Sequence, residues 1–221
     1  MEDHRPSVLR PAIDPALEMS DSDLFWQEHW RKFAYGLAGI ILAVLVVGAS
    51  MFWRAHVRSS GAAAYSVATS VDGWRAVIEE FPGSIAAGNA QLQIATALRV
   101  KGDLDAAATE LEAFTAAQPE HPLAGVAWLT LGEIRQAQDK IAPAIEAYRT
   151  ASSRYKTSYA APLALISEAK LLATQGNQGE ARAILESVSS LYPETPAAMI
   201  SAGELERSGQ PQGTPAPATT P

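Results

Sequence analysis

Residues 123–158 read LAGVAWLTLGEIRQAQDKIAPAIEAYRTASSRYKTS, and a shift of 37 residues in either direction lays a similar pattern over them. Ala87, Ala124, Ala161 and Ala198 then fall in one column. Ala95, Gly132 and Ala169 form a second, and Ala107, Ala144 and Ala181 a third. Larger apolar residues align as well: Leu92 with Leu129 and Ile166, and Leu111 with Tyr148 and Leu185. Unit ends match at Phe81-Pro82, Gln118-Pro119, Tyr155-Lys156 and Tyr192-Pro193. Self-similarity at a fixed period is the mark of a repeat architecture.

The columns have a physical meaning. Small residues at Ala95/Gly132/Ala169 and Ala107/Ala144/Ala181 let two helices approach to within about 8–10 Å between axes, and the bulkier apolar residues fill the space around that contact. Gly102-Asp103 and Gly176-Asn177 separate the apolar stretches, where a tight helix-to-helix turn needs a permissive backbone. Ser84, His121, Ser158 and Thr195 are expected in the N-cap column of each new helix. Pro122 and Pro196 are expected at a first helical position, where the missing amide costs nothing. Each unit is therefore a helical hairpin.

Three units are expected at about 86–121, 123–158 and 160–195, within a repeat domain spanning 59–207. Residues 62–82 form a half-unit aligned with a second helix, Trp74 and Val77 falling on Leu111 and Phe114. Residues 196–207 form a closing helix whose Glu204, Glu206 and Arg207 solvate its outer face. Residues 208–221 (SGQPQGTPAPATTP) hold four prolines and almost nothing apolar, so disorder is expected there.

Trp128-x-x-Leu131-Gly132, with Ala144 and Tyr148 in the second helix, resembles the tetratricopeptide repeat. Arg135 stands where that family usually has an aromatic, and the longer period places extra residues in the turns. The resemblance implies a concave groove lined by the first helices. Its inward positions would be Asn89, Leu92, Thr96 and Arg99; Val126, Leu129, Glu133 and Gln136; then Leu163, Ile166, Lys170 and Thr174. Such a groove holds a peptide or a partner helix.

Phe33–Trp53 reads FAYGLAGIILAVLVVGASMFW, 21 residues without a charge. At 1.5 Å rise per residue that helix is roughly 31 Å long, close to the hydrocarbon thickness of a bilayer. Aromatics flank it (Trp30, Phe33, Tyr35; Phe52, Trp53), as interfaces favour. A cleaved signal peptide has a shorter apolar core and a shorter leader, so an uncleaved signal anchor is the reading. Arg5, Arg10, Arg31 and Lys32 precede the span and only Arg54 and Arg58 follow closely. That balance predicts a cytoplasmic, mostly disordered tail over 1–32 and a repeat domain on the far side.

Catalytic and cofactor chemistry find no support. No cysteine is present, which excludes disulfides, thiolate metal sites and cysteine nucleophiles. His4, His29, His56 and His121 are scattered without metal-ligand spacing. Gly176-Asn177-Gln178-Gly179 is a turn rather than a phosphate loop, and no serine sits in a G-x-S-x-G elbow. With 17 Lys+Arg against 24 Asp+Glu and no basic stripe, nucleic acid is an unsuitable partner. The expectation is an all-α, non-enzymatic protein with one transmembrane helix followed by a tetratricopeptide-like solenoid, needing no cofactor and binding proteins.

The whole layout resembles the bacterial family of ancillary subunits of the Sec translocon. The local match is Asp23-Leu24-Phe25 and Glu28, then Arg31-Lys32-Phe33-x-Tyr35-Gly36 entering the span, with Ala62-Ala63-Ala64-Tyr65 beyond it. The resemblance implies a bacterial inner-membrane protein with a periplasmic repeat domain, whose partners are translocon subunits and periplasmic chaperones. A cell-envelope adaptor that coordinates wall synthesis or outer-membrane assembly is the alternative.

Overall fold

The computed structural model describes residues 21–209. The disorder expected over most of 1–32 and over 208–221 concerns stretches largely outside the described residues. Within them the chain is all-α, with nine helices: α1 (Asp21–Val67), α2 (Val71–Glu80), α3 (Ile85–Val100), α4 (Leu104–Ala117), α5 (Ala124–Ala137), α6 (Ile141–Arg154), α7 (Ala160–Thr174), α8 (Gln178–Leu191) and α9 (Pro196–Gly209).

Two units divide near Ala55 and His56. In the first, the Phe33–Trp53 stretch of α1 is apolar all round its circumference, and its residues stand exposed: Leu42 is 63% and Phe52 76% accessible. From His29 to Val67 it is long and apolar enough to cross a membrane. α1 starts at Asp21, well ahead of the apolar run, so the segment leading into the run is helical.

The second unit is a stack of hairpins. It begins with the last turns of α1, where Ala64 and Tyr65 pack on a small core of Val77, Ala86 and Ala90. A Cβ on Gly61 would lie 3.3 Å from both Ala86 and Phe81, so only a small residue suits this approach. Ala62–Val67 thus ends α1, and the chain turns before α2. The Ser70 hydroxyl accepts from the Gly73 amide at 3.2 Å and starts the new helix there.

Three hairpins follow, α3/α4, α5/α6 and α7/α8, and they share one turn. Gly102 (φ +84°), Asp139 (φ +58°) and Gly176 (φ +85°) occupy the same left-handed position. The next amide closes the preceding helix in each case: Asp103 to Leu98 O, Lys140 to Arg135 O and Asn177 to Leu172 O, at 3.0, 2.9 and 3.0 Å. Asp139 carries a Cβ there, tolerated because a short polar side chain strains this conformation least.

The junctions between hairpins are periodic too. The Tyr155 hydroxyl donates to Pro119 O at 3.0 Å, and that of Tyr192 to Lys156 O at 3.2 Å, each tying one junction to the previous one. Ser84 caps α3 through the Ala87 amide at 3.1 Å. His121 does more than turn the chain. Its Nδ1 accepts from the Leu123 amide at 3.1 Å, so Nε2–H is left to donate to Ile85 O at 3.2 Å. Burial against the Phe114 edge holds the imidazole below its ordinary pKa, partly offset by the Ile85 bond. Several details differ from expectation. Neither His121 nor Ser158 is the capping residue, since Leu123 and Tyr159 stand directly ahead of α5 and α7. Pro122 stays in the turn, because the His121 ring engages Leu123 and α5 begins only at Ala124. The Thr195 hydroxyl bonds back to Tyr192 O rather than capping α9, although Pro196 does open that helix.

The small-residue column governs each hairpin's closure. Ala95 shares a buried cluster with Leu111, and Ala169 one with Leu185. In the middle hairpin the partner is the larger Tyr148, and a Cβ on Gly132 would overlap its ring. Glycine and tyrosine therefore form a matched pair where the other hairpins use alanine and leucine. Gly132→Ala should lower stability by about 1–3 kcal/mol through overpacking, despite alanine's better helix propensity. Adding Tyr148→Leu should restore most of the loss, as read by denaturant unfolding of the full chain in detergent. Equal stability of Gly132→Ala and the natural protein would contradict the pairing.

Candidate protein-binding groove

The first helices of the hairpins, α3, α5 and α7, and the closing helix α9 present one polar column at the 37-residue period: Thr96, Glu133, Lys170 and Arg207, all exposed. Each stands four positions beyond a core residue (Leu92, Leu129, Ile166) or, in α9, beyond Gly203, so the column lies along one edge of the apolar stripe.

Ion pairs link neighbouring first helices. Arg99 Nη1 lies 3.2 Å from Glu133 Oε2, and Lys170 Nζ 2.7 Å from Glu204 Oε1. Arg207 approaches the other oxygen of Glu204 at 3.2 Å. The Arg99–Glu133 pair is exposed on both sides and contributes about 0–1 kcal/mol, whereas Glu204 is largely covered beneath its two cations.

Glu133, Gln136 and Lys170 line one open cleft of about 460 Å³ together with Ala137, Tyr148 and Ser167. Tyr148 reaches it from α6. Its hydroxyl donates to Gln136 Oε1 at 2.9 Å. Burial, helped by the Glu133 carboxylate, pushes the phenol up to about 12 against a weaker opposing bond with Ser167, so it stays protonated and serves as a donor. Lys170 and Thr174 line a second cleft of about 440 Å³ with Gln178, Arg182, Glu204 and Arg207.

The groove positions inferred from the resemblance thus divide. Glu133, Gln136, Lys170 and Thr174 share the clefts, and Arg99 joins them through Glu133. Thr96 is exposed but spends its hydroxyl on Leu92 O at 2.8 Å. Asn89 is half-buried, and Leu92 packs against the first core. Leu129 and Ile166 are core residues, with the partly buried Val126 and Leu163 packed alongside.

Glu168 is the residue the sequence reading passed over. It is 3% exposed, in a column with Ile94 and Leu131, both buried. One carboxylate in a column of aliphatic core residues was the available signal. Arg149 from α6 approaches it at 2.6 Å through Nε and reaches Glu180 at 3.0 Å through Nη2. Burial raises the Glu168 pKa, and the Arg149 hydrogen bond and charge offset this only in part. Among the described residues no group of three His, Asp or Glu side chains converges to hold a metal.

No protein-family model matches this sequence, and no curated protein matches it. Solved structures do. The nearly identical TPR-like repeats of a Podosopora anserina kinesin light chain match in two crystal structures. Their TM-scores are 0.51 and 0.50 and their identities 21% and 22%, over 62% of this chain in both and 74% and 75% of theirs. The Yersinia enterocolitica type III secretion chaperone SycD, in complex with a peptide of the translocator YopD, matches with a TM-score of 0.46 and 20% identity, over 53% of this chain and 88% of its own. The fold is TPR-like.

Because the folded pKa of Glu168 is raised, the native state holds the proton more tightly than the unfolded chain. Stability is therefore lost as pH rises from the ordinary glutamate range through that raised value. Glu168→Leu should match or exceed the natural protein at neutral pH, with the advantage shrinking on acidification. Arg149→Ala should lose about 2–4 kcal/mol at neutral pH by stranding a buried charge. Urea unfolding at several pH values would check both, and a Glu168→Leu variant less stable at pH 7 than at pH 4 relative to the natural chain would reverse the assignment.

Proposed function

We propose that this protein is a membrane-anchored interaction scaffold, an accessory subunit of the Sec translocon that passes emerging polypeptides to periplasmic chaperones. The observation that supports the scaffold reading is the combination in one chain of an exposed apolar helix long enough to cross a membrane with a TPR-like stack bearing open clefts lined by polar side chains. The translocon assignment rests on the sequence resemblance at residues 23–36 and 62–65. It places the tail before Phe33 in the cytoplasm and the repeats in the periplasm, in accord with the Lys and Arg asymmetry across the span.

In this reading Arg99, Glu133, Gln136, Lys170 and Thr174 meet the polypeptide partner. The Arg99–Glu133 pair is exposed and re-pairable, which suits transient contact with chains of varied sequence better than a tight site for one terminus. No catalytic step is required of any residue.

The test is photocrosslinking in the membrane. Photoreactive residues at positions 99 and 136 should capture periplasmic chaperones or secreted chains, and detergent extracts should enrich translocon subunits over an unrelated anchored protein. Replacing Phe33–Trp53 with an unrelated span should abolish the translocon enrichment. If enrichment survives the replacement, or never appears, the accessory-subunit role fails and the envelope-adaptor alternative gains.

A further inference from the structure

The turns of α1 ahead of the apolar run carry an aromatic stripe that the proposed function does not use. Phe25, Trp26, Trp30 and Phe33 are 54%, 59%, 50% and 53% exposed. Rings meet along the stripe: Phe25 stacks on His29 at 4.5 Å, Trp26 on Phe33 at 5.6 Å, and Phe25 meets Phe33 edge-on at 6.4 Å. At about 100° per residue these positions share one face of the helix, and Leu37, Ile40 and Val44 continue it into the apolar run. The stripe is thus continuous with the surface that would face lipid.

An upright helix would leave part of that stripe in water. Phe25 lies eight residues before Phe33, or about 12 Å along the axis. The headgroup layer on each side of the hydrocarbon is only about 5–7 Å thick. Even a tilt of about 40°, the upper end for spanning helices, leaves Phe25 roughly 9 Å out. Large exposed aromatics prefer the interface to water.

We infer that residues 25–33 lean into the bilayer headgroup layer, aromatic stripe toward the acyl chains, so that α1 enters the membrane bent about Gly36 and Gly39. This rests on the reading of Phe33–Trp53 as a span. Lipid is the occupant because the stripe and the run form one surface, and because the basic residues sit at the junction. Arg31 and Lys32 are exposed there, and the Arg31 guanidinium lies 5.8 Å from the Trp30 ring centroid, so its charge can meet a phosphate while its stem covers the ring. Gly36 and Gly39 come next along the chain, and a Cβ on either would meet nothing within 4 Å. Among the described residues no packing requires glycine at these positions, and glycine holds a helix less firmly than any other residue but proline.

The chain has no cysteine, so single labels can be placed on exposed positions without other changes. Trp26→Cys, Trp30→Cys, mid-span Leu42→Cys and Thr109→Cys on α4 would each carry a nitroxide on the full chain. The chains are reconstituted in vesicles of phosphatidylcholine and phosphatidylglycerol. Collision with oxygen, which partitions into lipid, and with a water-soluble nickel chelate then reports depth. Labels at 26 and 30 should lie at nearly the same depth, each several-fold less open to nickel than the label at 109. A label at 26 as open to nickel as that at 109, with 30 and 42 protected, means an upright helix and overturns the inference alone. A label at 42 open to nickel overturns the span and the inference together.

Discussion

Two helices can pack closely only where one of them presents little side chain, and that constraint organises the repeat domain. Ala95, Gly132 and Ala169 supply the flat place on the first helices, and Leu111, Tyr148 and Leu185 occupy the space opposite. The match is one of volume. Where the opposing residue grows from leucine to tyrosine, the small residue shrinks from alanine to glycine. With closure set in each hairpin, the left-handed turn at Gly102, Asp139 and Gly176 has a defined span to bridge. Successive hairpins then meet at equivalent junctions, tied by Tyr155 and Tyr192.

The same pair shapes the groove. Because Gly132 has no side chain, the Tyr148 ring passes close to α5, and its hydroxyl emerges beside Gln136 at the floor of a cleft. A core contact thus ends in a buried hydroxyl that anchors Gln136, an exposed polar side chain of that cleft. Around it the walls are charges already paired across neighbouring helices, Arg99 with Glu133 and Lys170 with Glu204. These pairs leave both signs of charge interspersed along the clefts.

Hydrophobicity is distributed in two ways along the chain, and the two units follow from it. In the repeats apolar residues keep to one stripe, which another helix can cover while the rest meets water. From Phe33 to Trp53 they surround the helix, and no single neighbour could cover every face. Where the repeats begin, Ala64 and Tyr65 near the end of α1 are covered by α2 and α3. At the other end of α1 the aromatics from Phe25 to Phe33 keep to one face, a pattern made for a boundary between two media.

Much of this was legible in the sequence because it is local or periodic. The hairpins, the glycine turns at Gly102 and Gly176, the Ser84 cap and the role of Gly132 follow from backbone preference and from columns that repeat. Of the positions expected to face a partner, Glu133, Gln136, Lys170 and Thr174 line clefts, whereas Leu129 and Ile166, set on the same helical stripe, are buried and Leu92 packs against the core. A helix's own periodicity gives the direction of a side chain but not what the neighbouring unit covers. For the same reason only the tertiary structure gave His121 its bond to Ile85 O and buried Glu168 beside Arg149, since each partner comes from another helix. Sequence alone determined which faces are apolar and where the chain turns; burial and charge pairing were decided by the stack, because they depend on distances between segments that no single helix contains.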